Sequence, residues 1–114
     1  MNLTSKQRAY LMSLANSLDP VFQVGKSSVT PEITEAVREC FHNNELIKIA
    51  VLKNCADDPR EIADVVAERT HATVVKVIGK KIILYKRDKD KPKIELPKAS
   101  QKGAERQKIN RSGE

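Results

Sequence analysis

The sequence predicts one α/β domain of element order αβαβαββ, with a four-stranded mixed sheet, followed by a basic tail. Three observations carry that expectation. Apolar residues recur at three- and four-residue steps in three stretches, each opened by a helix-capping signal. Short runs of β-branched and aliphatic residues separate and follow those stretches. The chain has 114 residues, enough for one modest core and too few for a second.

The elements follow in order. Thr4 and Gln7 stand in capping-box spacing, which predicts a helix to about Ala15. Its apolar side is Leu11, Leu14, Ala15 and Leu18, leaving Lys6, Arg8 and Ser13 more exposed. Asp19-Pro20 ends it, because a residue before proline is pushed out of helical geometry. Val21 to Val24 is short and β-branched, and reads as a buried strand.

Thr30-Pro31-Glu32 opens a second helix with a capping hydroxyl, a proline at the first position and a carboxylate near the positive end. Ile33, Ala36, Val37, Cys40 and Phe41 form its buried stripe, and His42-Asn43-Asn44 ends it. Residues 45–52, ELIKIAVL, are apolar almost throughout, as in a strand covered on both faces. Asp58-Pro59-Arg60-Glu61 repeats the capping pattern before a third helix, marked by Ile62, Val65, Val66 and Arg69 and reaching about Thr70. Thr73 to Ile78 and Lys81 to Lys86 flank Gly79-Lys80 as a hairpin. The two strand-helix-strand units imply parallel pairing through right-handed crossovers, with only the final hairpin antiparallel.

From Asp88 onward the residues change character, with eight basic against five acidic side chains and almost no aliphatic spacing. Such a segment buries too little to offset its ordering entropy, so most of it is expected to be a mobile tail. Ile94 and Leu96 are the candidates for a last attachment, which sets the expected domain at 1–97 and the tail at 98–114.

The balance of 21 basic to 15 acidic residues, +6 overall, favours polyanionic partners. No run approaches the roughly 20 apolar residues of a membrane span, and two cysteines without a signal-like start argue against a secreted disulfide framework. A soluble cytoplasmic protein with reduced thiols and no membrane partner is expected.

Among candidate sites, the stretch VFQVGKSSVTPEI holds a glycine, a lysine and two serines just before a capped helix. It is not a nucleotide-binding P-loop, because that motif needs glycine five positions before the Gly-Lys pair and Pro20 stands there. A short loop before a helix N-terminus still offers unpaired amides and partial positive charge. Gly25, Lys26, Ser27 and Ser28 therefore form a candidate clamp for a phosphate backbone. On the loop alone, a tight turn with a solvated lysine fits better, because glycine between strand and helix is ordinary. Lys48, Lys76, Lys80, Lys81 and Arg87, with Lys53 and Lys86, lie in or beside predicted strands and can extend the charge if they gather on one side.

The four aromatic residues, Tyr10, Phe22, Phe41 and Tyr85, are too few for base-stacking platforms, which favours recognition of structured RNA through backbone and shape. Cys40, His42, Cys55 and His71 lack the paired spacings of zinc sites, and no metal or cofactor is expected. Asp58 is taken up as a helix cap, which leaves Asp57 without a carboxylate partner for acid-base work, and no nucleophile-base set stands out.

Taken together, LTSKQRAYLMSLA, VGKSSVTPEI, ELIKIAV and VIGKKIILYK resemble, in order and spacing, the recurring blocks of the CRM domain family, which includes the small bacterial YhbY-type RNA-binding proteins and plant organelle splicing factors. The resemblance covers residues 1 to about 97. It implies a fold like the C-terminal domain of bacterial translation initiation factor three and RNA binding through a GxxG loop with neighbouring basic residues. In the bacterial members it further implies association with the precursor of the large ribosomal subunit. Carried over, that loop is Gly25, Lys26, Ser27 and Ser28, with serine in place of the second glycine. The resulting expectation is a non-enzymatic, monomeric RNA-binding protein of ribosome biogenesis. Its rival is a ribosome-associated protein-protein adaptor without direct RNA contact.

Overall fold

A computed structural model describes residues 3–88, 90 and 92–97. The elements are α1 (Ser5–Ala15), β1 (Phe22–Val24), α2 (Pro31–Cys40), β2 (Leu46–Val51), α3 (Pro59–Thr70), β3 (Thr73–Ile78) and β4 (Lys81–Tyr85). Each helix starts where its cap predicts. Thr4 and Gln7 complete both halves of the capping box, the Thr30 hydroxyl accepts from the Ile33 amide, and the Asp58 carboxylate accepts from the Arg60 amide. His71 closes α3 in a left-handed conformation, φ 60°, as an exposed cap.

The sheet runs β1-β2-β4-β3. β1 and β2 pair in parallel across α2, as expected. The second unit differs: β4 lies between β2 and β3 and is antiparallel to both, so β2 and β3 do not pair. Burial supplies the reason. Ile82, Ile83, Leu84 and Tyr85 are all buried, so β4 needs cover on both faces and a partner on both edges. β3 exposes Lys76 and Ile78 and tolerates the rim. That rim is blunted by an irregularity between Val74 and Lys76 and by Arg8, whose Nη1 donates to the carbonyls of Val74 (2.8 Å) and Val75 (2.6 Å). Arg8, expected to be solvated, is thus half-buried and structural.

Two apolar layers cover the sheet. α2 and α3 pack one face through Val37, Phe41, Ile62, Val66 and the inward residues Val24, Ile47, Ile49, Val51, Ile82 and Leu84. α1 packs part of the other through Leu11 and Ala15 against Leu46, Val75, Ile83 and Tyr85. Ile94 and Leu96 join this second cluster, the attachment expected of them. Glu45 holds their segment down. Its buried carboxylate accepts from the amides of Asp88 (2.7 Å), Lys93 (2.7 Å) and Ile94 (2.6 Å), and Gln7 Nε2 donates to the Pro97 carbonyl at 2.9 Å. Residues 98–114, where the mobile tail is expected, lie outside the described residues.

Candidate nucleic-acid interface

The strand register sorts the basic residues. Lys48 of β2, Ile83 of β4 and Lys76 of β3 stand opposite one another in one cross-strand row, and Ala50, Lys81 and Ile78 stand in the next. Ile83 belongs to the cluster under α1, so both rows face that side of the sheet. Lys81 is the diagonal neighbour of both Lys48 and Lys76, about 7–8 Å from each by strand geometry. The three form a triangle on the part of the face beyond the α1 cluster. Among the described residues the ion pairs are Arg38–Glu35 and His42–Glu39, so none of these lysines is neutralised by a carboxylate.

One step further along the strands lies the loop. The Leu52 amide donates to the Val24 carbonyl at 2.8 Å and the Val51 amide to the Lys80 carbonyl at 2.7 Å. These bonds bring the end of β1, the turn at Leu52–Lys53 and the β3–β4 turn to one end of the sheet. Gly79 has φ 56°, the positive value required at the first central residue of a type II′ hairpin turn, and Lys80 follows it exposed. Lys26, Lys53 and Lys80 therefore share the end of the sheet that borders the triangle.

Within the loop, the Ser28 amide donates to the Gly25 carbonyl at 2.9 Å, closing a turn over Lys26 and Ser27. The amides of Lys26 and Ser27 have no protein acceptor among the described residues, and both residues are exposed. Ser28 is left-handed, φ 55°, the conformation a glycine takes without cost. Its hydroxyl donates to Asp57 Oδ2 in the turn before α3, a tertiary hydrogen bond that offsets the backbone penalty. Gly25, in contrast, is not left-handed, and a Cβ there would meet Asn54 Oδ1 and Leu52 Cδ1 at 3.5 Å, ordinary contact.

The loop thus has two electrically different sides. Asp57 and Glu61, with Arg69, line the hollow between Ser28 and α3, while the lysines flank the opposite, sheet-facing side. Two carboxylates against one guanidinium make the first the poorer side for a polyanion, which is drawn to the second.

The remaining basic candidates stand elsewhere. Arg87 follows β4 at the far end of the sheet, beside His42 and His71, and is not brought together with the loop. Four residue steps along β4 already separate Lys81 from Tyr85 by about 13 Å. Lys86 Nζ donates to the Thr70 carbonyl at 2.9 Å and so serves the end of α3. Sequence reasoning placed Lys53 among the basic residues without assigning it to the site, and missed Asn54 beside Gly25. A turn between two elements gives no signal of which loop it will face.

The buried Tyr85 hydroxyl has no hydrogen-bond partner among the described residues, and burial, with the Glu45 carboxylate, pushes its pKa above the usual tyrosine range against the opposing effect of Arg87. It lies under the segment held by Glu45, away from the loop. No group of three or more metal-ligating side chains converges among the described residues, nor is any helix there long and apolar enough to cross a membrane.

The fold and site define a small three-layer α/β domain with a basic, loop-bordered sheet face. The family model of the CRS1/YhbY (CRM) domain matches residues 3–86, and the chain belongs to that family. It is 40% identical over 95 residues to Probable RNA-binding protein YqeI of Bacillus subtilis, covering 83% of this chain and 99% of that one. It is 30% identical over 96 residues to an RNA-binding protein of Haemophilus influenzae, covering 84% and 96% of the two chains. The solution structure of SAV1595 from Staphylococcus aureus superimposes with a TM-score of 0.71 at 42% identity, over 84% of this chain and 100% of the other.

Proposed function

We propose that this protein binds structured ribosomal RNA through its sugar-phosphate backbone and assists assembly of the large ribosomal subunit, acting in the cytoplasm as a monomer and without catalysis. The observation that carries the reading is the convergence of Lys48, Lys76 and Lys81, unneutralised, beside the free amides of the loop. Cations spaced over adjacent strands meet successive phosphates, and Lys26 and Lys80 continue the track around the end of the sheet. The relatives named for RNA binding support RNA as the partner. Exposed Val21, Leu52 and Ile78 favour the adaptor reading, yet Ile78 sits in the row of Lys81 and beside that of Lys48 and Lys76, which suits a polyanion better than an apolar protein surface.

The test compares Lys26→Glu/Lys80→Glu with Arg87→Glu in titrations of a ribosomal RNA fragment at several salt concentrations. The double variant is expected to bind at least about tenfold more weakly, with a salt slope shallower by about two. Arg87→Glu, at the far end, is expected to stay within about threefold of wild type. Equal losses in both would mean that net charge, not this face, drives binding. Crosslinking in cells that recovers no large-subunit RNA would refute the ribosomal assignment, and a ribosome pulldown that survives nuclease treatment would favour the adaptor.

A further inference from the structure

We infer that the groove between α1 and the rim strand β3 receives an unpaired nucleotide extruded from the bound RNA, an inference that rests on the RNA-binding reading above. The groove, about 670 Å³, is floored by Ala9, Met12 and Val75 and walled by Arg8, Lys76 and Arg60. Its volume falls in the range of small-ligand sites. No carboxylate lines it, because neither α1 nor β3 contains an acidic residue and Glu61 of α3 turns to the hollow by the loop. An apolar floor between cations fits a base flanked by phosphates, and would repel neither part.

Two features set its chemistry apart from the lysine triangle. Arg8 is fixed by its bonds to Val74 and Val75, so its guanidinium is held in place at the groove wall, and a planar guanidinium is a surface on which a base stacks in a protein poor in aromatics. β3 is also a rim strand, and beyond the Val74 and Val75 carbonyls that Arg8 occupies, its outward backbone groups can hydrogen-bond a base edge. The groove is continuous with the proposed RNA face through Lys76, which lines it and shares a row with Lys48. RNA lying across the triangle would therefore reach the groove with a nucleotide displaced from its helix.

The experiment measures affinity for a fully paired RNA duplex and for the same duplex carrying one bulged nucleotide. Wild type is expected to prefer the bulged form by about tenfold, within the range of one stacked base. Arg60→Gln, and Ala9→Glu on the exposed side of α1, are expected to bring that ratio close to one, whereas Lys26→Glu/Lys80→Glu lowers both affinities and preserves the ratio. Amide shifts at Ser13 and Val77 on adding the bulged duplex, absent with the paired one, would place the nucleotide. Duplex binding without bulge preference, or a preference surviving both groove variants, overturns the groove alone. Binding of neither RNA overturns the RNA face and the groove with it, and groove shifts produced by an acidic peptide but not by the bulged duplex would assign the groove to a protein segment.

Discussion

At the residue scale, the loop reverses the roles that its sequence suggests for its two ends. Gly25 reads as the position needing conformational freedom, yet its backbone is one that alanine adopts and its missing side chain would fit. Ser28, where the family resemblance implies a glycine, holds the left-handed turn itself. For a residue with a Cβ that conformation costs roughly 1–2 kcal/mol, and the hydrogen bond to Asp57 returns about 1 kcal/mol. The two terms separate by substitution. Ser28→Ala keeps the backbone cost and loses the bond, so it should destabilise the protein by about 1 kcal/mol. Ser28→Gly loses the bond and the cost together, and should fall within about 0.5 kcal/mol of wild type. Urea midpoints of the two variants decide the matter, and identical losses would show that the left-handed backbone carries no penalty.

At the element scale, most of the secondary structure was legible because its signals are local. Thr4, Thr30 and Asp58 announce the helices, and Gly79 announces the hairpin. Strand order was not legible, because β4 reaches its place between β2 and β3 through hydrogen bonds that no short window contains. The same limit applied to the site. The loop could be quoted from one stretch of sequence, whereas the triangle of Lys48, Lys76 and Lys81 exists only once the register is set, and Arg87 could be separated from it only by knowing which end of β4 faces the loop. β4 also carries a cost of its own. Its terminal Tyr85 is 1% exposed and its hydroxyl has no partner among the described residues, so Tyr85→Phe removes a desolvated polar group and should leave stability unchanged or raise it by up to about 1 kcal/mol. The pH dependence has a definite sign. The folded tyrosine has a raised pKa, so the unfolded chain ionises first, and stability is lost as pH climbs past the ordinary tyrosine value of about 10 toward the folded one. Thermal unfolding between pH 8 and 11 should therefore fall more steeply in wild type than in Tyr85→Phe. Parallel curves would mean that the hydroxyl is solvated.

At the scale of the whole molecule, charge and cohesion are distributed to opposite ends of one sheet. The loop end collects unneutralised lysines and free amides, while the far end is closed by Glu45, which binds residues arriving from more than 40 positions away. The match to the CRM family model stops at residue 86, but the contacts of Glu45, Ile94, Leu96 and Gln7 continue to Pro97. We expect the folding unit to end there. Truncation after Arg87 would strip apolar cover from the cluster of Leu11, Leu46 and Tyr85 and remove all three amide partners of a buried carboxylate. Rehydration of Glu45 recovers part of that loss, and release of the ordered segment recovers chain entropy. The net loss should be about 2 kcal/mol, set chiefly by the uncovered apolar surface. Truncation after Pro97 keeps every one of those contacts and should hold the wild-type urea midpoint. If the two truncated proteins unfold at the same urea concentration, the segment from Asp88 to Pro97 contributes nothing to the fold, and Glu45 must satisfy its charge with water instead.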